Sequence, residues 1–144
     1  MLFDTHAHLQ NELLEDQFEQ IMERARQAGV EKIACVGYDL PSSQQALKLA
    51  QKHEEICAVA GVHPHDAKDL DESSLAELYQ LARDPQVVAI GEIGLDYYRD
   101  LSPRDLQQKA FIAQIKLARE VGKPIVIHDR DAHQDVFDII KQEG

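Results

Sequence analysis

The stretch Met1-Leu2-Phe3-Asp4-Thr5-His6-Ala7-His8 reads as a strand that runs out into a pair of histidines. Strand side chains alternate between faces, so His6 and His8 project to the same side. Two neutral imidazoles on one side can grip one divalent cation. The apolar lead Met1-Leu2-Phe3 has the composition of a buried parallel strand. Ligands at the C-terminal end of a first strand are where a parallel α/β protein carries its chemistry, so the rest of the chain is read for strands of the same kind.

Four more such runs follow, and the strands are expected at 1–5, 32–37, 56–61, 87–91 and 124–128. They are apolar almost throughout, as strands covered on both faces should be. An amphipathic segment follows each. Leu14, Phe18, Ile21, Met22, Ala25 and Ala28 fall at helical spacing, with Gly29 as a natural stop. Helices are also expected at 42–52, 71–83, 103–121 and 133–143, the last stopped by Gly144. For the fourth, Ser102 and Asp105 read as a capping box around Pro103. Strand–helix alternation means a parallel sheet with right-handed crossovers. No glycine-rich loop follows the first strand, which argues against a dinucleotide site, and polar residues at several strand ends favour a (β/α)₈ barrel. Such barrels take about 250 residues. The 144 residues of this chain therefore read as one domain, 1–144, holding about five of the eight units.

The chain has 15 Lys plus Arg against 26 Asp plus Glu, a formal charge of −11. That balance suits a soluble, cytoplasmic protein and argues against a broad nucleic-acid-gripping surface. It leaves room for a small cleft in which cations supply the positive charge for a phosphate. No apolar run approaches a membrane span of about 18 residues, so no membrane partner is expected. Cys35 and Cys57 lie in apolar runs without CxxC spacing and read as buried thiols.

Three further strand ends carry candidate ligands. Glu92 follows Val87-Val88-Ala89-Ile90-Gly91, His128 follows Ile125-Val126-Ile127, and Gly61-Val62-His63-Pro64-His65 follows the third strand. In a barrel, His6, His8, Glu92 and His128 face one cleft. Glu92, with two oxygens, is the natural ligand shared between two cations about 3.5–4 Å apart, a pair able to activate water and stabilise a leaving phosphodiester oxygen. Pro64 forces an extended entry at His63. That segment is either a donor to a substrate phosphate through His63 or His65, or a rigid turn with two exposed rings. Arg130 is either a phosphate clamp or an ion-pair partner of Asp129 or Asp131. Asp96 could orient a ligand histidine. His53 reads as a solvated helix end and His133 as a first-turn helix residue, both outside the site.

The segments Phe3-Asp4-Thr5-His6-Ala7-His8-Leu9, Gly61-Val62-His63-Pro64-His65, Gly91-Glu92-Ile93-Gly94-Leu95-Asp96-Tyr97-Tyr98 and Ile127-His128-Asp129-Arg130-Asp131-Ala132 occur in this order. In them the chain resembles the N-terminal part of the TatD-family metal-dependent hydrolases, the TatD DNase group. The resemblance implies a TIM-type barrel with two divalent cations at its C-terminal face. His6 and His8 would bind the first, Glu92 would bridge, and His128 would bind the second; Zn²⁺, Mn²⁺ and Mg²⁺ are all compatible. It further implies 3′-to-5′ exonuclease activity on DNA ends. Members also carry a later His ligand and a Glu-Thr-Asp whose Asp can act as base; in this chain those positions would fall beyond Gly144.

The resemblance thus implies the first five-eighths of such an enzyme, and an expectation about its edges follows. The unpaired strands at either side of a part-barrel should favour self-association. Function then lies among three readings: a two-metal deoxyribonuclease; another amidohydrolase-like enzyme cleaving amide, ester or aminoacyl ester bonds; or an inactive piece that needs a partner. Relatives of the second kind often bridge their metals with a carbamylated Lys, and Glu92 at the strand end favours the nuclease.

Overall fold

The computed structural model describes residues 2–143, so Met1, at the head of the first expected strand, and Gly144, the expected stop of the last helix, lie outside the described residues. The elements run β1 (Leu2–Ala7), a 3₁₀ segment (Glu12–Gln17), α1 (Phe18–Gln27), β2 (Val30–Val36), α2 (Leu40–Lys52), β3 (Ile56–Ala60), a second 3₁₀ segment (Pro64–Asp69), α3 (Glu72–Ala82), β4 (Val87–Asp96), α4 (Arg104–Val121), β5 (Ile125–Arg130) and α5 (His133–Glu143). The five strands pair in parallel in the order β1-β2-β3-β4-β5. Sequential order with a helix after each strand is the wall of a (β/α)₈ barrel, curled and open over five strands.

The central strands divide their side chains between two layers. Ile33, Cys35, Ile56, Ala58, Ala60, Ile90, Ile93 and Leu95 pack toward the helices, against Met22, Leu47, Leu78, Phe111 and Ile115. The intervening Ala34, Val36, Val59 and Ala89 form a second cluster with Cys57 and Val126. Both faces of β2–β4 are therefore covered over most of their length, Val88 of β4 excepted at 40% exposed, which accounts for their apolar runs. The flanking strands differ from that expectation: Leu2 and Phe3 of β1 are more than half exposed, and Ile127 of β5 is 39% exposed. Each flanking strand has a neighbour on one side alone among the described residues.

Three local expectations need correction. The helix expected to carry Leu14 to Ala28 is split, because Asn11 Oδ1 accepts from the Leu13 N–H at 3.0 Å and opens a 3₁₀ segment; α1 begins at Phe18. α2 starts two residues earlier than expected because Asp39 caps it, accepting from the Ser42 N–H at 2.8 Å in a reciprocal capping box. Ser102 does not cap α4. Its hydroxyl donates to the His65 carbonyl at 2.7 Å and accepts from the Lys68 N–H at 3.1 Å, tying the second 3₁₀ segment to the entry of α4. Gly29, at φ +80°, does end α1 as its position foretold.

Two buried glutamines on the apolar face of α4 fix the segments that carry the site. Gln107 and Gln114 are seven residues apart, two helical turns on one face. The Gln114 amide accepts from the Val62 N–H at 2.7 Å and donates to the Val62 carbonyl at 3.0 Å. The Gln107 amide accepts from the Asp96 N–H at 2.8 Å and donates to the Asp96 carbonyl at 3.2 Å and the Ser102 carbonyl at 2.8 Å. Each side chain thus stands in for a neighbouring strand, satisfying backbone groups that burial would otherwise leave unpaired.

Candidate metal centre

β1, β4 and β5 end at one rim of the sheet and bring His6, His8, Glu92 and His128 together. Glu92 lies within β4, which runs on to Asp96 where the sequence placed its end at Gly91. Its carboxylate is split: Oε2 lies 3.3 Å from His6 Nε2 and Oε1 lies 2.9 Å from His128 Nδ1. Two sets of ligand atoms result, His6–His8–Glu92 and His63–Glu92–His128, each gathered within 4.8 Å. Ligand atoms about 2.1 Å from a cation sit about 3–3.4 Å from one another, so the spacings to Glu92 are those of two coordination edges sharing one carboxylate. Imidazole and carboxylate donors suit a divalent transition metal.

The tautomers are set by the partners. His8 Nδ1 lies 2.7 Å from the Val36 carbonyl, which can only accept, so Nδ1 carries the proton and Nε2 offers its lone pair. The His6 and His8 rings stand edge to face at 5.1 Å. His128 Nε2 lies 3.0 Å from Asp96 Oδ2, which leaves Nδ1 facing Glu92.

Asp96 is fully buried and satisfied on both oxygens. Oδ1 accepts from the Tyr98 and Arg99 N–H groups at 3.1 and 2.8 Å; Oδ2 faces His65 Nε2 at 2.8 Å and His128 Nε2 at 3.0 Å. Burial pushes this carboxyl up, but the Arg99 N–H and the two imidazoles more than offset it and hold it down at about 2. For Glu92 the upward push of burial is likewise outweighed, by His128 and then His63 and His6, and its carboxyl falls below the usual range. The Glu92 hydrogen bond, opposed by burial and reinforced by Asp96, raises His128. Burial, followed by the charges of His128 and His65, lowers His63 to about 4.

Of the other expected residues, His63 and His65 join the cluster and are not exposed turn rings. His63 is 8% exposed, with its ring centroid 4.1 Å from that of His65 and 4.3 Å from that of His128. The His65 ring is held by Asp96. Arg130 is exposed and stacks on Tyr98 at 3.9 Å, while Asp129 pairs with His133 at 2.7 Å. His53 caps α2 and packs on Phe18 at 4.8 Å, away from the cluster. Cys35 and Cys57 are free thiols, buried and half-buried. The sequence reading passed over Gln107 and Gln114; their signal is a pair of amides seven apart on an otherwise apolar helical stripe. No helix among the described residues is long and apolar enough to cross a membrane.

Known proteins resemble this chain along nearly all of its length. The chain is 48% identical over 144 residues to the uncharacterized metal-dependent hydrolase YabD of Bacillus subtilis (strain 168), covering 100% of this chain and 56% of that protein. It is 45% identical over 133 residues to the 3′-5′ ssDNA/RNA exonuclease TatD of Edwardsiella piscicida, covering 92% of this chain and 51% of that one. The crystal structure of YJJV, a TatD homolog from Escherichia coli K12, superposes with a TM-score of 0.92 at 32% identity, covering 99% of this chain and 56% of that chain. The chain therefore spans about half the length of the curated relatives it matches. The family model described as TatD related DNase matches residues 3–144, and the chain belongs to that family of metal-dependent hydrolases.

Proposed function

We propose that this chain supplies one half of a two-metal phosphodiesterase centre that removes nucleotides from the 3′ ends of DNA and RNA. The observation that carries the reading is the split carboxylate of Glu92, one oxygen toward His6 and the other toward His128. In it His6 and His8 hold one cation, His128 holds the second, and Glu92 bridges. The cations, when bound, supply Lewis acidity and lower the pKa of a water. The protein's part is to fix the donors. The Val36 carbonyl aims His8, Asp96 aims His128, and Gln107 and Gln114 hold the two loops behind them. Arg130, stacked on Tyr98, offers a planar fork to a backbone phosphate at the rim. The names of the relatives support the substrate class, and the acidic surface favours ends drawn into a small cleft over extended nucleic-acid binding.

The exposed Leu2 and Phe3 of β1 and Ile127 of β5 support association through the flanking strands. Sedimentation over a range of concentrations tests this, and a strictly monomeric species at all of them refutes it.

The function is tested by calorimetric titration with Zn²⁺ or Mn²⁺ and by degradation of 5′-labelled single-stranded DNA in each metal. Two metal equivalents are expected in this chain and shortening from the 3′ end in a barrel completed by its second half, both lost in Glu92→Ala. Cleavage that survives Glu92→Ala rules out the centre as drawn.

A further inference from the structure

His63 sits in the second ligand group, yet its hydrogen bonds point to a different role. Its backbone is fixed at every polar atom: the N–H donates to the Tyr38 carbonyl at 2.8 Å, and the carbonyl accepts from the Asp66 N–H at 2.9 Å. The preceding residue, Val62, is clamped on both backbone groups by Gln114. The side chain is fixed as well. The His65 backbone N–H donates to His63 Nδ1 at 3.1 Å, closing a tight turn over Pro64. A backbone amide can only donate, so Nδ1 must be bare. A neutral imidazole carries one proton, and with Nδ1 bare that proton is on Nε2.

Nε2 is the atom that faces the centre, 3.1 Å from His128 Nδ1. An N–H has no lone pair to give a cation. His128 lies between two carboxylates, Nε2 against Asp96 and Nδ1 against Glu92; a carboxylate can only accept, so both nitrogens hold protons while the cation is absent. Once Nδ1 gives up its proton, its lone pair becomes an acceptor for the His63 N–H 3.1 Å away. When His128 Nδ1 and Glu92 are committed to a cation, the His63 N–H loses its acceptor. The ring cannot turn away, because Nδ1 is tied to His65 and the faces are hemmed by His65 and His128. A buried donor without a partner is costly, so the group is built to meet an acceptor that arrives with the cation.

We propose that His63 is a fixed hydrogen-bond donor of this centre and not a metal ligand, with Nε2–H aimed at a non-bridging oxygen of the substrate phosphate beside Glu92 and His128. The proposal rests on the phosphodiesterase reading for the identity of that oxygen; the donor assignment itself rests on the His65–His63 hydrogen bond alone. It makes His63 a substrate-contacting residue whose tautomer is set by the turn that carries it.

Three measurements test it. First, long-range ¹H–¹⁵N correlation on the metal-free wild-type protein at neutral pH should place the His63 proton on Nε2; a proton on Nδ1 overturns the assignment without any variant. Second, Zn²⁺ titration of His63→Leu and His63→Gln should leave stoichiometry unchanged and affinity within about threefold, whereas His128→Gln should lose a site. Loss of a site in His63→Gln overturns the proposal. Third, inorganic phosphate binding to the metal-loaded protein, followed by ³¹P resonance, should weaken about tenfold or more in His63→Leu, the loss expected for one hydrogen bond to a charged oxygen. His63→Gln, whose amide can donate from a similar position, should recover most of it. Unchanged phosphate binding in His63→Leu overturns the donor role. Glu92→Ala separates the two readings: if it keeps both metals, the metal centre has failed, and the tautomer result still decides His63.

Discussion

Replacing Asp96 by Asn gives a stability change whose size and pH dependence both follow from the site. The carboxyl falls from its ordinary 3.8 to about 2 in the folded chain. At about 1.36 kcal/mol per pH unit, that difference is worth about 2.4 kcal/mol of stability. The sign follows from a depressed folded value: the contribution is complete above the unfolded value and is lost as pH falls through the folded one. It is nearly full at pH 5 and about 1.3 kcal/mol at pH 3. Asn adds a second cost that does not vary with pH. Its oxygen can serve either the two imidazoles or the two backbone N–H groups, and its amide then confronts the other pair of donors. Urea unfolding of the metal-free wild type and Asp96→Asn, at pH 5 and pH 3, reads both parts. The variant should be less stable at both, with a gap about 1 kcal/mol smaller at pH 3. A gap of equal size at the two pH values would refute the ionised, four-bonded Asp96.

Three more outcomes are expected. Gly94 has φ +145°, and a Cβ there would come within 2.0 Å of the His128 carbonyl, so Gly94→Ala should lower stability by more than about 3 kcal/mol in thermal unfolding and loosen His128. Gln114→Met strands the Val62 N–H and carbonyl in the core and should cost about 2–4 kcal/mol, read by urea midpoint, while metal stoichiometry stays intact. The raised His128 makes protons compete with cations at Nδ1: metal affinity should rise with pH through the neutral range, by up to about tenfold per unit, in calorimetric titrations. In the metal-free protein the same group works the other way, since its ion pairs stabilise below the ordinary value of 6.5 and fade as pH rises through the raised one.

His6, His8, Glu92 and His128 were legible because each ends or interrupts an apolar run, and parallel strands in sequential order bring such positions to one rim. The length of β4 was not, because the apolar run stops at Gly91 and the charged Glu92 follows it. In the fold Gly94 keeps the strand going by letting β5 approach where a side chain would collide. The role of Asp96 was half visible: its position suggested an orienting carboxylate, but the four donors come from two other segments and a turn of its own. Ser102 had the local signature of a helix cap, and a tertiary partner, the His65 carbonyl, took its hydroxyl instead. The glutamines of α4 were hidden for a related reason. Amphipathic spacing assigns a face to a residue but does not say that a buried amide will meet backbone across the core.

The two α4 glutamines have an implication for how this centre tolerates its surroundings. The centre is crowded with groups that gain or lose protons between acid and neutral conditions, and each such change redistributes charge across a few ångströms. Gln107 and Gln114 carry no charge at any of these pH values, and they hold the backbone of Val62 and Asp96 by amide-to-amide pairing. The frame is thus insulated from the titration of what it frames: acidification can silence the donors while leaving them in place, so return to neutral pH should restore metal binding at once, with no refolding.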